Sequence, residues 1–355
     1  MKQLILLVLL TGMVATSAFA ANDATPGSLP RPITCTDDPL HPIAGRPYDY
    51  SALLAPPGGS TYWYATKATD FISAGVRKAG IEIAADGTTI LSGATNYMTN
   101  APSATSPTKT TVTWTTTGLK GVDATTNPLF MILEYKGPTC SNNMKVYQIL
   151  PKNAFTVDIL NLKNTDKTPL AYGTTDSQCY ADILSAKFVA PNMVYDYGVN
   201  KLYFEVVAAN FTGSFTPSFK LTGLHKGQSA LVEWTVDKTL AGGFAALGAA
   251  QSAVDATTPL SFTGTPVTTV EPNTSKGVSI YVRVTVTNGL YEGLTDDKVT
   301  LAVEAVNANN EADIDNATCA APGAPYEDTA DQTLNARPTV TPDPTTGAFV
   351  PQTLP

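Results

Sequence analysis

Apolar and polar side chains alternate most regularly in the second half of the chain. From Val278 to Val286 every second residue is Val or Ile, and Leu202–Val206 and Val299–Ala305 show the same two-residue period. Successive side chains of a β-strand point to opposite faces, so this period places the apolar set on one buried face. The pattern predicts three strands here.

The first half carries shorter β-prone segments between turn-forming residues. Ala55–Gly59 and Lys136–Pro138 have the Pro and Gly content of turns. Short strands bounded by such turns are typical of an antiparallel sandwich. The predicted strands of this half are 60–66, 110–116, 129–135 and 145–150.

Sequence landmarks recur in the same order in both halves, which predicts two tandem copies of one unit. The expected fold class is therefore all-β, with two tandem antiparallel β-sandwich domains and extended Pro-rich termini. The paired landmarks are Tyr48-Asp49-Tyr50 and Tyr195-Asp196-Tyr197, Trp114 and Trp234, Asp123–Thr126 and Asp255–Thr258, and Asn143–Val146 and Asp297–Val299.

The two ends of the chain differ from its middle. Residues 1–20 combine an early Lys, an apolar run and Ala18-Phe19-Ala20, as in a cleavable secretory signal peptide, and the apolar run is too short for a membrane span. We expect an extended segment at 21–33, domains at 34–160 and 161–322, and a Pro-rich tail at 323–355. Export to the cell surface, the medium or the periplasm follows.

The charge composition of the chain limits the classes of partner that it is expected to bind. The chain has 22 Lys and Arg against 30 Asp and Glu, and its five Arg are scattered. Nucleic-acid binding needs clustered basic residues, so the composition argues against it.

The four cysteines fall two in each half of an exported chain, where disulfides are the default. This distribution favours Cys35–Cys140 and Cys179–Cys319 among three possible connectivities. A zinc site is the alternative, but it would lack any C-x-x-C pair and any nearby His.

No catalytic motif stands out, and the sequence predicts no cofactor and no enzymatic activity. His41 and His225 lie in turn-like runs and are interpreted as surface residues. Calcium is the metal considered for the acidic residues, because the chain has three acidic clusters and hard oxygen ligands suit it. Solvated turn acids are the favoured interpretation of Asp37-Asp38, Asp296-Asp297 and the group Glu311, Asp313 and Asp315.

Three tryptophans are the largest candidate anchors. Trp114 and Trp234 occupy matching strands and are predicted core residues. Trp63 lies in Tyr62-Trp63-Tyr64, where a core position is the favoured interpretation and an exposed aromatic strip that stacks on sugars is the alternative. We take Trp63 as the candidate ligand-binding residue.

Several of these runs resemble a known group. Cys35 followed by His41–Gly45 and Tyr48–Tyr50, and Trp114–Gly118 leading to Glu134-Tyr135, resemble Ig-like or PKD-like tandem-domain secreted surface proteins of Bacteroidota. The resemblance implies an Ig-like sandwich and a surface, adhesive or fibre-forming role, without catalytic residues. The spacing before Cys319 departs from the pattern of the first half.

These observations predict a structural protein, a self-assembling subunit of an extracellular filament or surface layer, whose partners are its own copies or other surface proteins. The alternative is an adhesin that binds a glycan or a protein. Because sandwich sheets end in edge strands, a β-prone tail could add to such an edge on a neighbouring copy. Val340, Phe349 and Val350 are the predicted anchors of this strand addition, and a linker tail is the other interpretation.

Overall fold

The computed structural model describes residues 30, 31, 33, 35–56, 58–87, 89, 109–139, 141–268, 275–315 and 328–340. The expected signal peptide, Cys140, Cys319, Phe349 and Val350 lie outside them. The described chain is almost entirely β, with antiparallel sheets in sandwich-like arrangements. The predicted all-β sandwich class is confirmed.

The first half holds three small sheets. β2–β6–β7 form a three-stranded sheet, β1–β5 a pair and β3–β4 a short hairpin. The alternating side chains Tyr48, Tyr50 and Val112 pack with Trp63 and Met131 of the larger sheet. The elements are β1 (Pro47–Ser51), β2 (Ser60–Thr66), β3 (Ile72–Ser73), β4 (Val76–Arg77), β5 (Lys109–Thr113), α1 (Thr116–Leu119), β6 (Leu129–Lys136) and β7 (Asn142–Ile149).

The second half is larger and has longer strands. They are β8 (Thr156–Asn161), β9 (Asp176–Cys179), β10 (Ser185–Val189), β11 (Asn192–Asp196), β12 (Val199–Ala209), β13 (Ser214–Thr222), β14 (Ser229–Thr235), β15 (Ala245–Ala246), β16 (Gln251–Ser252), β17 (Leu260–Thr263), β18 (Val267–Thr268), β19 (Val278–Thr287), β20 (Asp297–Asn307) and β21 (Asp328–Asn335).

Two six-stranded sheets enclose the main core of this half. One runs β15–β14–β19–β12–β8, with β16 also on β14, and the other runs β17–β13–β20–β21–β9, with β18 also on β13. Phe204 and Val282 of the first sheet belong to one buried cluster with Phe219, Leu301 and Leu334 of the second. Burial of this apolar surface is the main force holding the two sheets together.

The chain passes from the first half to the second at an earlier residue than predicted. β8 pairs antiparallel with β12, from Phe204 opposite Asn161 to Ala209 opposite Thr156. The expected boundary after residue 160 therefore falls inside a strand of the second half. The chain crosses between Ile149, the end of β7, and Thr156.

The Pro-rich tail predicted at 323–355 needs a correction, because part of it belongs to the core. β21 lies between β20, its antiparallel partner, and β9, its parallel partner. Ala330, Gln332 and Leu334 are buried at every second position. Gln332 is satisfied there, since its Nε2 donates to the Tyr203 carbonyl at 2.8 Å and its Oε1 accepts from Asn164 at 2.9 Å.

One repeated landmark keeps its local structure in both halves. The Asp123 carboxylate accepts the backbone N–H groups of Thr125 and Thr126, and the Asp255 carboxylate accepts those of Thr257 and Thr258, all within 2.6–2.8 Å. Each turn leads into a strand that begins with a buried Leu. The sheets around the turns differ, because β6 is the middle strand of three whereas β17 pairs only with β13.

Leu334 tests whether β21 closes the second sandwich. Leu334→Ala should lower the free energy of unfolding by about 2–5 kcal/mol, because it leaves a cavity between the sheets. Val340→Ala is the control, since Val340 is 95% exposed and its truncation should cost less than about 0.5 kcal/mol. Chemical denaturation followed by far-UV circular dichroism measures both. Equal stability of the two variants would show that β21 is not part of the cooperative core.

Candidate functional site

The three tryptophans all contribute to packing. Trp114 is fully buried and its indole N–H donates to the Tyr50 hydroxyl at 3.0 Å. Trp234 is half-buried and packs against the core of the second half. Trp63 is also fully buried, in the core of the first half. The interpretation of Trp63 as an exposed sugar-binding residue is wrong.

The reason lies in the second half of β2, which is covered on both faces. Trp63 faces the core, and Tyr62 and Tyr64 lie on the opposite face, where the guanidinium of Arg77 sits 3.8 Å and 5.3 Å from their ring centroids. Arg77 also pairs with Glu82 at 2.9 Å. The hairpin β3–β4 thereby covers the face that a half-exposed strand would show to solvent.

Two of the four cysteines are described, and they differ. Cys35 is in a disulfide whose second cysteine lies outside the described residues. Cys179 is exposed at the end of β9 and carries a free thiol. The predicted Cys179–Cys319 pair is therefore not formed, while Cys35–Cys140 stays a prediction.

The acidic clusters are occupied by donors of the protein itself. Asp37 accepts from Arg46 at 3.2 Å and from the Tyr48 hydroxyl at 2.5 Å, and Glu311 accepts from Asn307 at 2.8 Å. In the described part of the chain, no three His, Cys, Asp or Glu side chains are grouped so that they could hold a metal ion.

Asp297 is the centre of a buried network that the sequence did not indicate. Its carboxylate accepts from the hydroxyls of Tyr180 at 2.5 Å and Tyr291 at 2.8 Å. The Nε2 of His225 lies 3.0 Å from the other oxygen, and the imidazole stacks on Tyr291 with centroids 4.6 Å apart. Burial, and next the hydrogen bond to Asp297, raise the pKa of Tyr180, so its hydroxyl remains a donor. The network ties three loops to the start of β20.

A second buried cluster attaches the N-terminal segment to the second half. Arg31 forms ion pairs with Asp158 on β8 and Asp328 on β21. Burial, and next the charge of Asp158, raise the pKa of Asp328 to about 7, against the opposing effect of Arg31. Pro30 packs on Gly277, where an added Cβ would lie 2.6 Å from the proline ring. Arg31 thus bridges one edge strand and β21 of the facing sheet.

The two halves meet at a polar junction, which we define as Arg46, Thr116, Asn210, Thr212 and Asn309. The backbone N–H of Thr116 donates to the Thr212 hydroxyl, and the N–H of Thr212 donates to the Thr116 hydroxyl, both at 2.8 Å. Arg46 donates to Asn210 at 3.0 Å, and Asn309 to the Thr116 carbonyl at 2.8 Å. Both threonines are buried. The junction couples helix α1 to the β12–β13 turn.

A cleft of about 230 Å³ lies beside the junction. Thr116, Lys152, Asn153, Asn210 and Glu311 contribute polar groups to its walls. Asn153 is engaged with the Ala312 carbonyl at 3.0 Å, and Lys152 with the Thr36 carbonyl at 2.6 Å. These bonds connect the crossing segment to both halves.

The β10–β11 hairpin exposes apolar side chains to solvent. Phe188 pairs with Met193 and Ala186 with Tyr195, so these four residues share one face, which we call the hairpin face. Phe188 is 65% exposed, and Val189 at the tip is 58% exposed. In the described structure the hairpin is a separate two-stranded sheet.

The chain leaves β21 next to this hairpin. The Arg337 N–H donates to the Gly293 carbonyl, and its guanidinium donates to the Tyr197 carbonyl, both at 2.8 Å. The guanidinium also lies 5.1 Å from the centroid of the Tyr197 ring, which stacks on Tyr195 at 5.7 Å. An aromatic row therefore connects the exit of the chain to the hairpin face.

Comparisons with known proteins add little to this geometry. No family model and no curated protein matches the chain. The resemblance to Ig-like or PKD-like surface proteins therefore stays a prediction. No helix among the described residues has the length and hydropathy that a membrane crossing requires.

Solved structures show distant similarity. The N-terminal domain of PorA is 12% identical, with 50% of this chain and 96% of that chain covered and a TM-score of 0.23. The full-length major pilin SpaD from Corynebacterium diphtheriae is 13% identical, with 74% and 60% covered and a TM-score of 0.23. A carbohydrate-binding module of the β-sandwich superfamily is 12% identical, with 78% and 94% covered and a TM-score of 0.17. At such low TM-scores these similarities support no functional inference.

The reciprocal threonine pair can be tested by a double-mutant cycle. Thr116→Val and Thr212→Val should each cost about 1–3 kcal/mol of unfolding free energy, because each leaves a buried N–H without its acceptor. The loss of unfolding free energy in the double variant should differ from the sum of the two single losses by at least about 0.5 kcal/mol, since the two residues are in direct contact. Urea denaturation measures the cycle. Strict additivity would mean that the two hydrogen bonds act independently, and no loss of stability in any variant would mean that they do not hold the halves together.

Asp313 predicts a defined pH dependence of stability. Burial raises its pKa from 3.8 to about 6. The folded state therefore binds this proton more tightly than the unfolded state, and the stabilisation present below about pH 4 is lost as the pH rises through about 6. Asp313→Asn keeps an oxygen that can accept the Ala305 N–H and cannot ionise. At pH 8 it should be more stable than the wild type by about 2–3 kcal/mol.

Urea denaturation at pH values from about 3.5 to about 8, which bracket the titration of Asp313, measures the effect. The gain from Asp313→Asn should vanish at the acidic end. Asp182→Asn, at an exposed position, is the matched control for loss of one carboxylate. A variant that is less stable than the wild type at pH 8 would contradict the assignment.

Proposed function

We propose that the protein is a non-enzymatic exported structural protein, a self-assembling subunit of an extracellular filament or surface layer. The polar junction is the observation that carries this proposal. The mutual hydrogen bonds of Thr116 and Thr212, both 2.8 Å long, lock the first half against the second. A subunit that passes force from one neighbour to the next needs its parts held in a fixed relation.

The ionisable clusters support a structural role, because each of them joins separate elements of the fold. Asp297 holds the loops of Tyr180, Tyr291 and His225. Arg31 holds β8 to β21 through Asp158 and Asp328. Their hydrogen-bonding capacity is spent on the protein itself, which favours a non-enzymatic role.

Assembly would use the C-terminal segment as an added strand on a neighbouring copy. Val340, one of its predicted anchors, is 95% exposed, so in this chain its side chain is accessible to a partner. Phe349 and Val350 are the other anchors. An added strand contributes backbone hydrogen bonds for affinity and alternate side chains for register.

A protein-binding adhesin is the second candidate, and the exposed hairpin face supports it. Contiguous apolar surface on an exported protein marks an interaction site. A partner other than the protein's own copies would occupy the same surface. With Trp63 buried, the residue chosen for glycan binding offers no support for a sugar ligand.

Removal of residues 341–355 tests the structural role. The full chain, purified after export, should form regular polymers in negative-stain electron microscopy, and the truncated chain should remain monomeric. The melting temperature should change by less than about 2 °C, because the described core ends before this segment. Val254→Ala, at an exposed position outside residues 341–355, is the control variant.

The outcomes separate the candidates. Full-length protein that stays monomeric at all concentrations, yet captures a different surface protein, would replace the structural role by the adhesin. Truncated protein that polymerises at the wild-type rate would exclude the strand-addition step and leave the structural role standing. Catalytic turnover of any substrate by the purified chain would contradict the non-enzymatic proposal.

A further inference from the structure

We infer that the hairpin face is the acceptor for residues 341–355 of a neighbouring copy. This inference rests on the proposed function and names the two surfaces that meet. It commits to one occupant, a second copy's C-terminal segment, anchored by Phe349 and Val350.

The hairpin is a sheet that lacks partners in the described structure. β10 and β11 pair only with each other among the described strands. A two-stranded hairpin is marginally stable in water, and a third strand with apolar contacts stabilises it. The outer edges of both strands present backbone groups, and Phe188 and Val189 present apolar side chains at the tip. The hairpin therefore offers both parts of a strand-addition site.

The exit of the chain lies beside this site. Ala336 and Arg337 are fixed by the Asp296 carboxylate and the Gly293 carbonyl at 2.7 Å and 2.8 Å. Leu294, the neighbour of Gly293, is 46% exposed. In each copy the C-terminal segment therefore leaves the fold close to the hairpin face of that copy. Two copies in contact could each donate a segment to the other and accept one from it.

The reach of the segment allows contact with a neighbouring copy. A strand of five residues, such as β10, is about 17 Å long. Phe349 follows Arg337 by 349 − 337 = 12 residues, which corresponds to about 37 Å in the extended form that prolines favour. Pro338, Pro342 and Pro344 interrupt this stretch. This maximal reach exceeds the length of the hairpin strand, so the segment is long enough to contact a neighbouring copy.

The chemistry of the two surfaces is complementary. Ala348-Phe349-Val350 is a short β-prone run between Gly347 and Pro351. Aromatic and β-branched side chains pair favourably across strands, and the aromatic residues Phe188 and Tyr195 of the hairpin face provide such partners. Pro351 would end the pairing, because proline has no N–H for the ladder.

Disulfide trapping between two separately expressed chains tests the inference. Both carry Cys179→Ser to remove the free exposed thiol. One also carries Phe188→Cys and the other Phe349→Cys, and they are mixed under mild oxidation. We expect a crosslinked dimer of unlike chains, at least tenfold more abundant than with the control Val254→Cys in place of Phe188→Cys. Val254 is 65% exposed, as Phe188 is, so accessibility is matched.

The possible outcomes distinguish a failure of the hairpin assignment from a failure of the proposed function. Equal crosslinking of Phe349→Cys to the Val254→Cys control would overturn the inference as non-specific contact. Crosslinking only within a single chain that carries both Phe188→Cys and Phe349→Cys would show that the segment covers its own hairpin, and would overturn the assignment to a neighbour. Polymers that form without this crosslink would reject the hairpin face while the proposed function stands. Absence of polymers from the wild-type chain would reject the proposed function itself.

Discussion

The pairing of β21 between β20 and β9 fixes the geometry on which the rest of the second half depends. β21 contributes Leu334 to the core and places Asp328 against Arg31 and Asp158. It also delivers Arg337 to the carbonyl of Tyr197. One strand thereby sets the packing of both sheets, the anchoring of the N-terminal segment and the point at which the C-terminal segment leaves. A strand added after all the others in sequence is long-range in contact order, so its pairing depends on the sheets that it joins.

The sequence predicted the β class, and it did so because large apolar residues alternate in the strands that form the core. The period-two pattern of Val278–Val286 corresponds to β19, the strand between β14 and β12. The same alternation of large apolar residues did not predict β21, because Ala330 and Gln332 occupy two of its buried positions. A glutamine is buried without a large penalty only when its amide finds partners, and those partners, Tyr203 and Asn164, are distant in sequence.

The candidate site was harder to predict than the fold, for two physical reasons. His225 and Asp297 are 72 residues apart, and no local spacing indicates that they meet. Trp63 faces the core of the first half, and the opposite face of β2, which alternation suggests is exposed, is covered by Arg77 over Tyr62. Local turn chemistry was more informative: the Asp-Ala-Thr-Thr turns at 123 and 255 use the same hydrogen bonds in both halves. Such turns are determined by neighbouring residues, whereas sheet order is determined by distant ones.

The position of β21 between an antiparallel and a parallel partner strand affects how the fold resists force. The ladder of β21 with β20 extends from Asp297 opposite Leu334 to Val303 opposite Asp328, along nearly the whole strand, and its pairing with β9 covers the C-terminal half, from Gln332 to Asn335. Tension directed along the axis of β21 would load its ladders with β20 and β9 in parallel. Hydrogen bonds loaded in this direction are sheared together rather than opened one after another. Arg31 pairs with Asp328 at the N-terminal end of the strand, and Arg337 is held by the Tyr197 carbonyl just beyond its C-terminal end. Both ends of β21 are therefore anchored by contacts outside the two ladders.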